Sequence, residues 1–160
     1  MNINVRAIIS SDVDRMTVLV AEKRLLLEQL EPVMWRAREN SSDHAGAFLR
    51  HVIAQPQALA FVAEDGDRLL GFIIGILQDA PPLYDPGGKS VTVDDFAVVD
   101  GTEGDAAASA LLDAVMGEGR ARGAVQIIVV AAANDARETG WCKNKKLHVA
   151  SQMWTTVLSH

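Results

Sequence analysis

The 160-residue chain has one cysteine, one tyrosine and no long apolar run. The single cysteine, Cys142, excludes a disulfide within the chain, and the sequence has no Cys cluster with the spacing of a zinc site. No apolar run approaches the ~18–20 residues that a membrane-spanning helix needs. The N-terminal segment lacks a charged start, an apolar stretch and a small-residue cleavage site, so we predict no signal peptide. These absences favour a cytoplasmic protein without a metal site.

The composition is that of a folded, acidic protein. Hydrophobic residues make up 49% of the chain and charged residues 22%, which is the balance of a globular protein. The net charge of −6 disfavours nucleic acid and anionic membrane surfaces as partners. This length suits one hydrophobic core, and we predict a single domain over residues 1–160.

The spacing of apolar residues predicts the element order β-α-α-β-β-β-α-β-α-β. The predicted strands cover 2–9, 58–64, 68–78, 90–99, 126–131 and 147–158. The predicted helices begin near Ser11, Ser42, Asp105 and Ala136. Asp65-Gly66 is a strong hairpin signal, whereas the strands at 90–99 and 126–131 are joined by a helix. We therefore predict a mixed α/β (α+β) fold, in which a mostly antiparallel sheet carries helices on both faces.

This order resembles the GNAT superfamily of N-acetyltransferases, and the resemblance covers nearly the whole chain, residues 2–158. It is carried by Phe96-Ala97-Val98, which leads into a turn, and by the helix sequence Ser109-Ala110-Leu111-Leu112-Asp113-Ala114-Val115. The resemblance implies direct transfer of acetyl from acetyl-CoA to an amine of a small molecule or of a protein, without a metal. It also implies that the main chain of Phe96, Ala97 and Val98 binds pantetheine and that Asn134 belongs to the cofactor site.

The family signature Arg/Gln-x-x-Gly-x-Gly/Ala falls on the segment Glu103-Gly104-Asp105-Ala106-Ala107-Ala108, followed by Ser109. The free N–H groups of a helix start suit a pyrophosphate, and small residues let it approach the main chain. Glu103 and Asp105 depart from the family pattern, since a carboxylate about 6 Å from a phosphate charge costs about 2–3 kcal/mol at an effective dielectric near 20. Alternatively, these acids occupy the positive end of the helix dipole, and the helix start needs no cofactor.

A basic stretch follows near the C-terminal end of the chain. Residues 137–148 carry four basic side chains against the single acid Glu138: Arg137, Lys143, Lys145 and Lys146. The resemblance places the equivalent helix beside the adenosine and 3′-phosphate of coenzyme A, so this charge would recover affinity lost at the turn. The alternative is that these lysines favour the negative end of a helix and are solvated.

Asp94 and Asp95 are the candidates for the base that deprotonates the acceptor amine. Strict alternation predicts that Thr92, Asp94 and Phe96 lie on one face of the strand and that Val93, Asp95 and Ala97 lie on the other. Partial burial would bring the pKa of such a carboxyl toward neutral pH, as a base requires. The alternative is a strand-end aspartate that binds the N–H of a loop.

The resemblance implies a tyrosine on the last helix as the general acid, but that position falls on Trp141 or Cys142. Cys142 is the third catalytic candidate, because a thiol can donate a proton. The alternative is a buried, small, apolar side chain. The sole tyrosine, Tyr84, lies in a predicted loop.

Other patterns are weaker. The segment Gly87-Gly88-Lys89-Ser90 lacks the earlier glycine and the following helix of a phosphate-binding loop. His44 and His51 lack a third ligand for a metal ion.

The main hypothesis is therefore an acyl-CoA-dependent N-acetyltransferase, with a catalytically degenerate binding or regulatory module and an unrelated ligand-binding domain as alternatives. The apolar C-terminal strand makes a homodimer plausible.

Overall fold

The computed structural model describes residues 1–159, which form one five-stranded sheet with four α-helices. The strands are β1 (Ile3–Ala7), β2 (Ala58–Asp65), β3 (Arg68–Gln78), β4 (Lys89–Val98) and β5 (Ala124–Val129). The helices are α1 (Val13–Leu30), α2 (Ser41–Ile53), α3 (Gly101–Ala121) and α4 (Ala136–Asn144). No helix in residues 1–159 has both the length and the apolar character needed to cross a membrane.

The sheet has the strand order β1-β2-β3-β4-β5. The first three pairings are antiparallel, and β4 pairs with β5 in parallel because α3 crosses between them. The predicted hairpin joins β2 to β3, and Gly66 at its turn has a φ of +60°, which glycine adopts at little cost. The predicted mixed, mostly antiparallel sheet is confirmed.

Helices cover both faces of the sheet, as the pattern predicts. On one face, α3 packs on the sheet through a core that includes Leu111, Leu112 and Val115. On the other face, α1 and α2 pack through Met16, Leu19 and Leu49 against Phe72 and other strand residues. The candidate site lies between the α1–α2 face of the sheet and α4.

The N-terminal end of α1 is fixed by a network of two arginines and two acids. Arg6 of β1 donates to Asp12 at 2.7 and 2.8 Å and to Glu64 of β2 at 2.9 and 3.0 Å, and Arg15 of α1 donates to the same two carboxylates. The hydrogen bond from Arg6 holds the pKa of Asp12 well below its usual range. The network ties α1 to two strands and so fixes the helix that forms one wall of the candidate site.

A β-bulge in β4 overturns the predicted alternation. Ile74 of β3 pairs with Asp95 and Gly75 pairs with Val93, so Asp94 is the extra residue. The bulge reverses the facing of every later side chain. As a result Val93 and Phe96 share the core on the α3 side, while Ala97 lies in the opposite cluster.

Helix α3 begins at Gly101, four residues before the predicted start at Asp105. Gly101 has a φ of +83°, a conformation that lets the chain turn sharply from β4 into the helix. Consequently Glu103–Ser109, predicted to form the turn and the first residues after it, lie inside the helix. The free N–H groups of the helix start belong to Gly101, Thr102 and Glu103 instead.

The predicted strand at 147–158 is wrong for the chain as described. This segment has neither helix nor strand, and its large apolar side chains face solvent, with Trp154 exposed by 88% and Leu158 by 80%. Alternating apolar residues form a strand only when another strand supplies hydrogen bonds. Within residues 1–159, the outer edge of β5 has no strand beside it.

Candidate functional site

The parallel strands β4 and β5 separate halfway along β4. Their pairing ends at Val93 opposite Val129, and the last bond runs from the N–H of Val130 to the carbonyl oxygen of Val93 at 3.0 Å. From Asp95 to Val98, β4 remains paired with β3 on its other side. On the β5 side, none of the described strands pairs with these residues, so the backbone edge is open for hydrogen bonds.

A cavity of about 190 Å³ lies at this split. Residues on both sides of the split line it: Asp94, Asp95, Phe96 and Ala97 of β4, and Val130 and Ala132 after β5. The remaining walls come from α1, the α1–α2 segment, α2 and α4, with Lys23, Arg24, Trp35, Phe48 and Glu138 among the lining residues. Phe48 of α2 is an apolar side chain that is 53% exposed, because it faces this cavity rather than the core.

The two aspartates of β4 differ in environment. Asp94 is exposed and Asp95 is half-buried. Burial raises the pKa of Asp95 to about 6, the neighbouring charge of Asp94 adds to the rise, and Arg24 opposes it. A carboxyl that loses its proton near pH 6 is ionised at neutral pH and still basic enough to take a proton from an amine.

A buried ion-pair cluster, which the sequence analysis missed, closes the far side of the cavity. Lys23 of α1 contacts Glu138 of α4, and its Nζ lies 3.3 Å from Asp135. Burial raises the pKa of Glu138, and Lys23 opposes that rise. Asp135 also accepts the backbone N–H of Glu138 at 3.0 Å, a helix cap. The Asp-x-x-Glu pattern before α4 signals that cap, whereas nothing in the sequence points to Lys23.

Arg137 of α4 binds the junction between β4 and α3. Its guanidinium donates to the carbonyl oxygens of Val99 and Gly101, both at 2.9 Å, and to the carboxylates of Asp105 at 2.8 Å and Asp100 at 3.2 Å. The indole N–H of Trp141 donates to the same oxygen of Asp105 at 2.9 Å. These two donors hold the pKa of Asp105 below its ordinary value.

The remaining residues of the predicted cofactor segment have separate roles in the helix. Glu103 accepts a hydrogen bond from Arg68 of β3 at 2.7 Å. Ala107 and Ala108 are fully buried in the core, while Ala106 is half-buried and Ser109 is exposed. Gly104 is buried, and a Cβ there would lie 1.7 Å from the carbonyl oxygen of Val99. Glycine is therefore required at this position by the packing of the helix start.

The two candidates for the general acid face different ways on α4. The ring of Trp141 packs against Phe96 with centroids 5.4 Å apart and planes tilted by 51°, and the guanidinium carbon of Arg137 lies 4.9 Å from its centroid. Cys142 is half-buried, and burial raises the pKa of its thiol, with Glu138 and Asp135 adding to the effect. Trp141 thus lies at the end of β4, while Cys142 faces the ion-pair cluster.

The other predicted binding residues stand at the margins. Asn134 is exposed, just before the cap of α4. Of the basic stretch, Lys145 pairs with Asp113 of α3 at 2.7 Å, and Lys143 and Lys146 are exposed. In the part of the chain that the structure describes, no group of three His, Cys, Asp or Glu side chains is arranged to hold a metal.

A split pair of parallel strands, a helix start beyond it and a half-buried carboxylate lie together at this end of the sheet. Comparison with known families identifies the class of protein. The model of the acetyltransferase (GNAT) family matches residues 26–139, more than half of the chain. The chain belongs to the GNAT acetyltransferase family. No curated protein sequence matches it.

Solved structures share the fold at low sequence identity. A point mutant of the BH1408 protein from Bacillus halodurans superposes with a TM-score of 0.84 at 13% identity, covering 98% of this chain and 99% of that chain. A predicted acetyltransferase from Clostridium acetobutylicum, solved with acetyl-CoA, gives 0.72 at 16% identity, with coverage of 98% and 96%. An aminoglycoside acetyltransferase from an uncultured soil metagenomic sample, in complex with sisomicin, gives 0.68 at 15% identity, with coverage of 99% and 96%.

Proposed function

We propose that the protein is an acetyl-CoA-dependent N-acetyltransferase that transfers acetyl directly to an amine acceptor. The observation that carries this proposal is Asp95, a half-buried carboxyl with a pKa of about 6 in the cavity where β4 and β5 separate. An amine must lose a proton before or during its attack on the thioester carbonyl, and Asp95 accepts that proton. Asp94, beside it and exposed, raises the basicity of Asp95 by charge repulsion.

The open edge of β4 supports binding of the pantetheine arm of acetyl-CoA. Alternation along β4 directs the main-chain groups of Phe96 and Val98 to this edge, while those of Ala97 between them face β3. The N–H groups at the start of α3, which include that of Glu103, face the pyrophosphate, with Gly104 allowing close packing of this helix start. Asp105 to Ser109 follow within the helix, and Asn134 stands at the margin of the same region. This arrangement needs no metal.

An assay of thiol release from acetyl-CoA against a panel of small amines tests the proposal. We expect amine-dependent release of coenzyme A, and a large loss in the Asp95→Asn variant. Asp113→Asn is the matched control, because Asp113 is an exposed carboxylate on α3, across the sheet from the cavity. Absence of amine-dependent release in a folded protein would refute the enzyme assignment.

A second candidate is a catalytically degenerate domain that binds coenzyme A or another ligand without chemistry. Two departures from the family pattern favour it: Glu103 stands where the signature has Arg or Gln, and Trp141 or Cys142 stands where a tyrosine is expected as general acid. Binding of coenzyme A without turnover of any amine would support this second function.

We also propose a homodimer in which the segment 147–158 of each copy pairs with the outer edge of β5 of the other. The segment has neither helix nor strand, and its exposed apolar side chains match the exposed Val125 and Ile128 of β5. We expect sedimentation to show a dimer that Trp154→Asp dissociates. Leu83→Asp, which changes an equally exposed side chain in the loop before β4, is the control. A monomeric parent protein would contradict the proposal.

The remaining expectations belong to the same proposal. A cytoplasmic location is supported by the single cysteine in 160 residues, which is typical of reducing compartments. Organisation of residues 1–160 as one domain stays a prediction.

A further inference from the structure

A second cavity, of about 270 Å³, adjoins the first cavity on the side of α1 and the α1–α2 segment. It shares Arg24, Leu27 and Trp35 with the first cavity, so the two are neighbours along α1 and the α1–α2 segment. Its other lining residues belong to the segment after α1 and the start of α2: Met34, Arg36, Ala37, Arg38 and Ser41. A ligand that reaches Asp95 from this side therefore passes the second cavity.

The charged residues that line the second cavity are all arginines: Arg24, Arg36 and Arg38. In residues 1–159 none of the three guanidinium groups forms an ion pair or a side-chain hydrogen bond, whereas nine of the twelve other Lys and Arg side chains form an ion pair. Two acids lie in the segment between α1 and α2. Glu31 accepts the backbone N–H groups of Val33 and Met34, and Glu39, next to Arg38 in sequence, is exposed.

The charges in the first cavity are arranged differently. Lys23 forms ion pairs with Glu138 and Asp135. The other two acids that line this cavity, Asp94 and Asp95, form no ion pair. Arg24 stands between the two cavities, close enough to Asp95 to oppose the rise of its pKa. The combined site thus has carboxylates at the inner end and free guanidinium groups at the outer end.

We propose that the acceptor is a small amine that also carries an anionic group, a carboxylate or a phosphate, on the side away from the reacting nitrogen. The inference rests on the proposed function, and it names the substrate class of the same site. The amine binds at Asp94 and Asp95, and the anion binds Arg36 and Arg38, with Arg24 between them. Guanidinium groups bind both carboxylate and phosphate through paired hydrogen bonds. An acceptor with several cationic amines, such as an aminoglycoside, meets repulsion at the outer end.

The test compares three acceptors of similar length in the thiol-release assay: γ-aminobutyrate, its neutral amide and the diamine putrescine. O-phosphoethanolamine and ethanolamine form the phosphate pair and distinguish that anion from carboxylate. All are measured at about pH 8, where Asp95 is ionised. We expect kcat/KM to be at least about tenfold higher for the anionic member of a pair, the ratio given by a hydrogen bond to a charged group.

The arginines are tested by the double variant Arg36→Gln/Arg38→Gln. We expect kcat/KM for the anionic acceptor to fall about tenfold through KM, so that its advantage over the neutral member of the pair is lost. Arg36→Lys/Arg38→Lys should restore part of the preference. Arg50→Gln, which removes an exposed arginine of α2 paired with Asp14, is the matched control and should leave the preference unchanged.

Calorimetric titration with γ-aminobutyrate and O-phosphoethanolamine, in the presence of coenzyme A, separates the two proposals. Equal or better turnover of the neutral amide or of putrescine overturns the acceptor class and leaves the acetyltransferase intact. No turnover, with anion-dependent binding that the double variant loses, supports the anionic amine as the ligand class of the site and refutes the acetyltransferase. No turnover and no such binding overturns both.

Discussion

The pKa of about 6 for Asp95 predicts the pH dependence of the reaction. The reactive form of a base is the deprotonated one, so kcat/KM should fall as pH drops through this pKa. For a pKa of about 6, roughly nine-tenths of the carboxyl is ionised at pH 7 and roughly one-tenth at pH 5, which predicts an acid limb of about tenfold between them. The measurement is a pH profile of thiol release at subsaturating amine.

Two substitutions separate the causes of this pKa. Asp94→Asn removes the neighbouring negative charge, so the acid limb should move to lower pH. Asp95→Asn should abolish the limb and lower kcat/KM by about 10²–10⁴, the contribution of a positioned base. A profile that stays flat to pH 5 in the parent protein, or an Asp95→Asn variant within threefold of it, would refute the assignment of Asp95.

Stability gives an independent check on the same group. The folded pKa of Asp95 lies above the unfolded value, so its ionised form is disfavoured by folding. That cost is present above pH 6, disappears as pH falls below the unfolded value, and is absent in Asp95→Asn. Asp95→Asn should therefore raise Tm relative to the parent at pH 7.5, and the difference should vanish toward pH 4. The opposite order would mean that the carboxylate is stabilised by contacts in the fold.

Substitutions at three further positions, Glu103, Gly104 and Cys142, test the helix start and α4. Glu103→Gln should lower the Kd of acetyl-CoA several-fold, because it removes a negative charge near the pyrophosphate and frees Arg68. The decrease in Kd should be smaller at high salt, where the charge is screened. Weaker binding would mean that the contact with Arg68 shapes the helix start. Gly104→Ala should destabilise the folded protein by about 3 kcal/mol or more, since its Cβ would meet the carbonyl of Val99. The control Gly117→Ala, in open space on the same helix, should stabilise it by up to about 1 kcal/mol. Equal melting temperatures of the two variants would contradict this packing. Cys142→Ala and Cys142→Ser should keep turnover within about tenfold of the parent, because the coenzyme A thiolate leaves without a positioned acid. A loss of turnover beyond about a hundredfold in a normally folded variant would identify Cys142 as the general acid.

Periodicity was sufficient to predict the first four strands, the hairpin at Gly66 and the layers of helices, because each face of these elements is either buried or exposed along its length. It failed at Asp94, where one extra residue in β4 reverses the faces. Such a bulge is set by pairing with β3, and a single strand sequence does not contain that information. It also failed at 147–158, where the pattern indicates a capacity to pair but not the partner.

The candidate site was predicted only in part. Asp94 and Asp95 were found because the family resemblance points to that strand, and the bulge and burial then distinguish them. The start of α3 was placed too late, since Gly101 allows the turn before the small residues that the signature suggests. Lys23, Arg24 and the segment around Trp35 lie far from these residues in sequence, and packing alone brings them to the cavity.

Binding of acetyl-CoA tests the central claim most directly, and it is measured by thermal unfolding together with calorimetric titration. A ligand at a hundredfold excess over Kd stabilises the folded state by about 2.7 kcal/mol. For a domain of this size, that corresponds to a rise in Tm of roughly 5–10 °C. We predict such a rise, with a matching heat of binding. No shift at millimolar acetyl-CoA, together with a silent titration, would contradict the account.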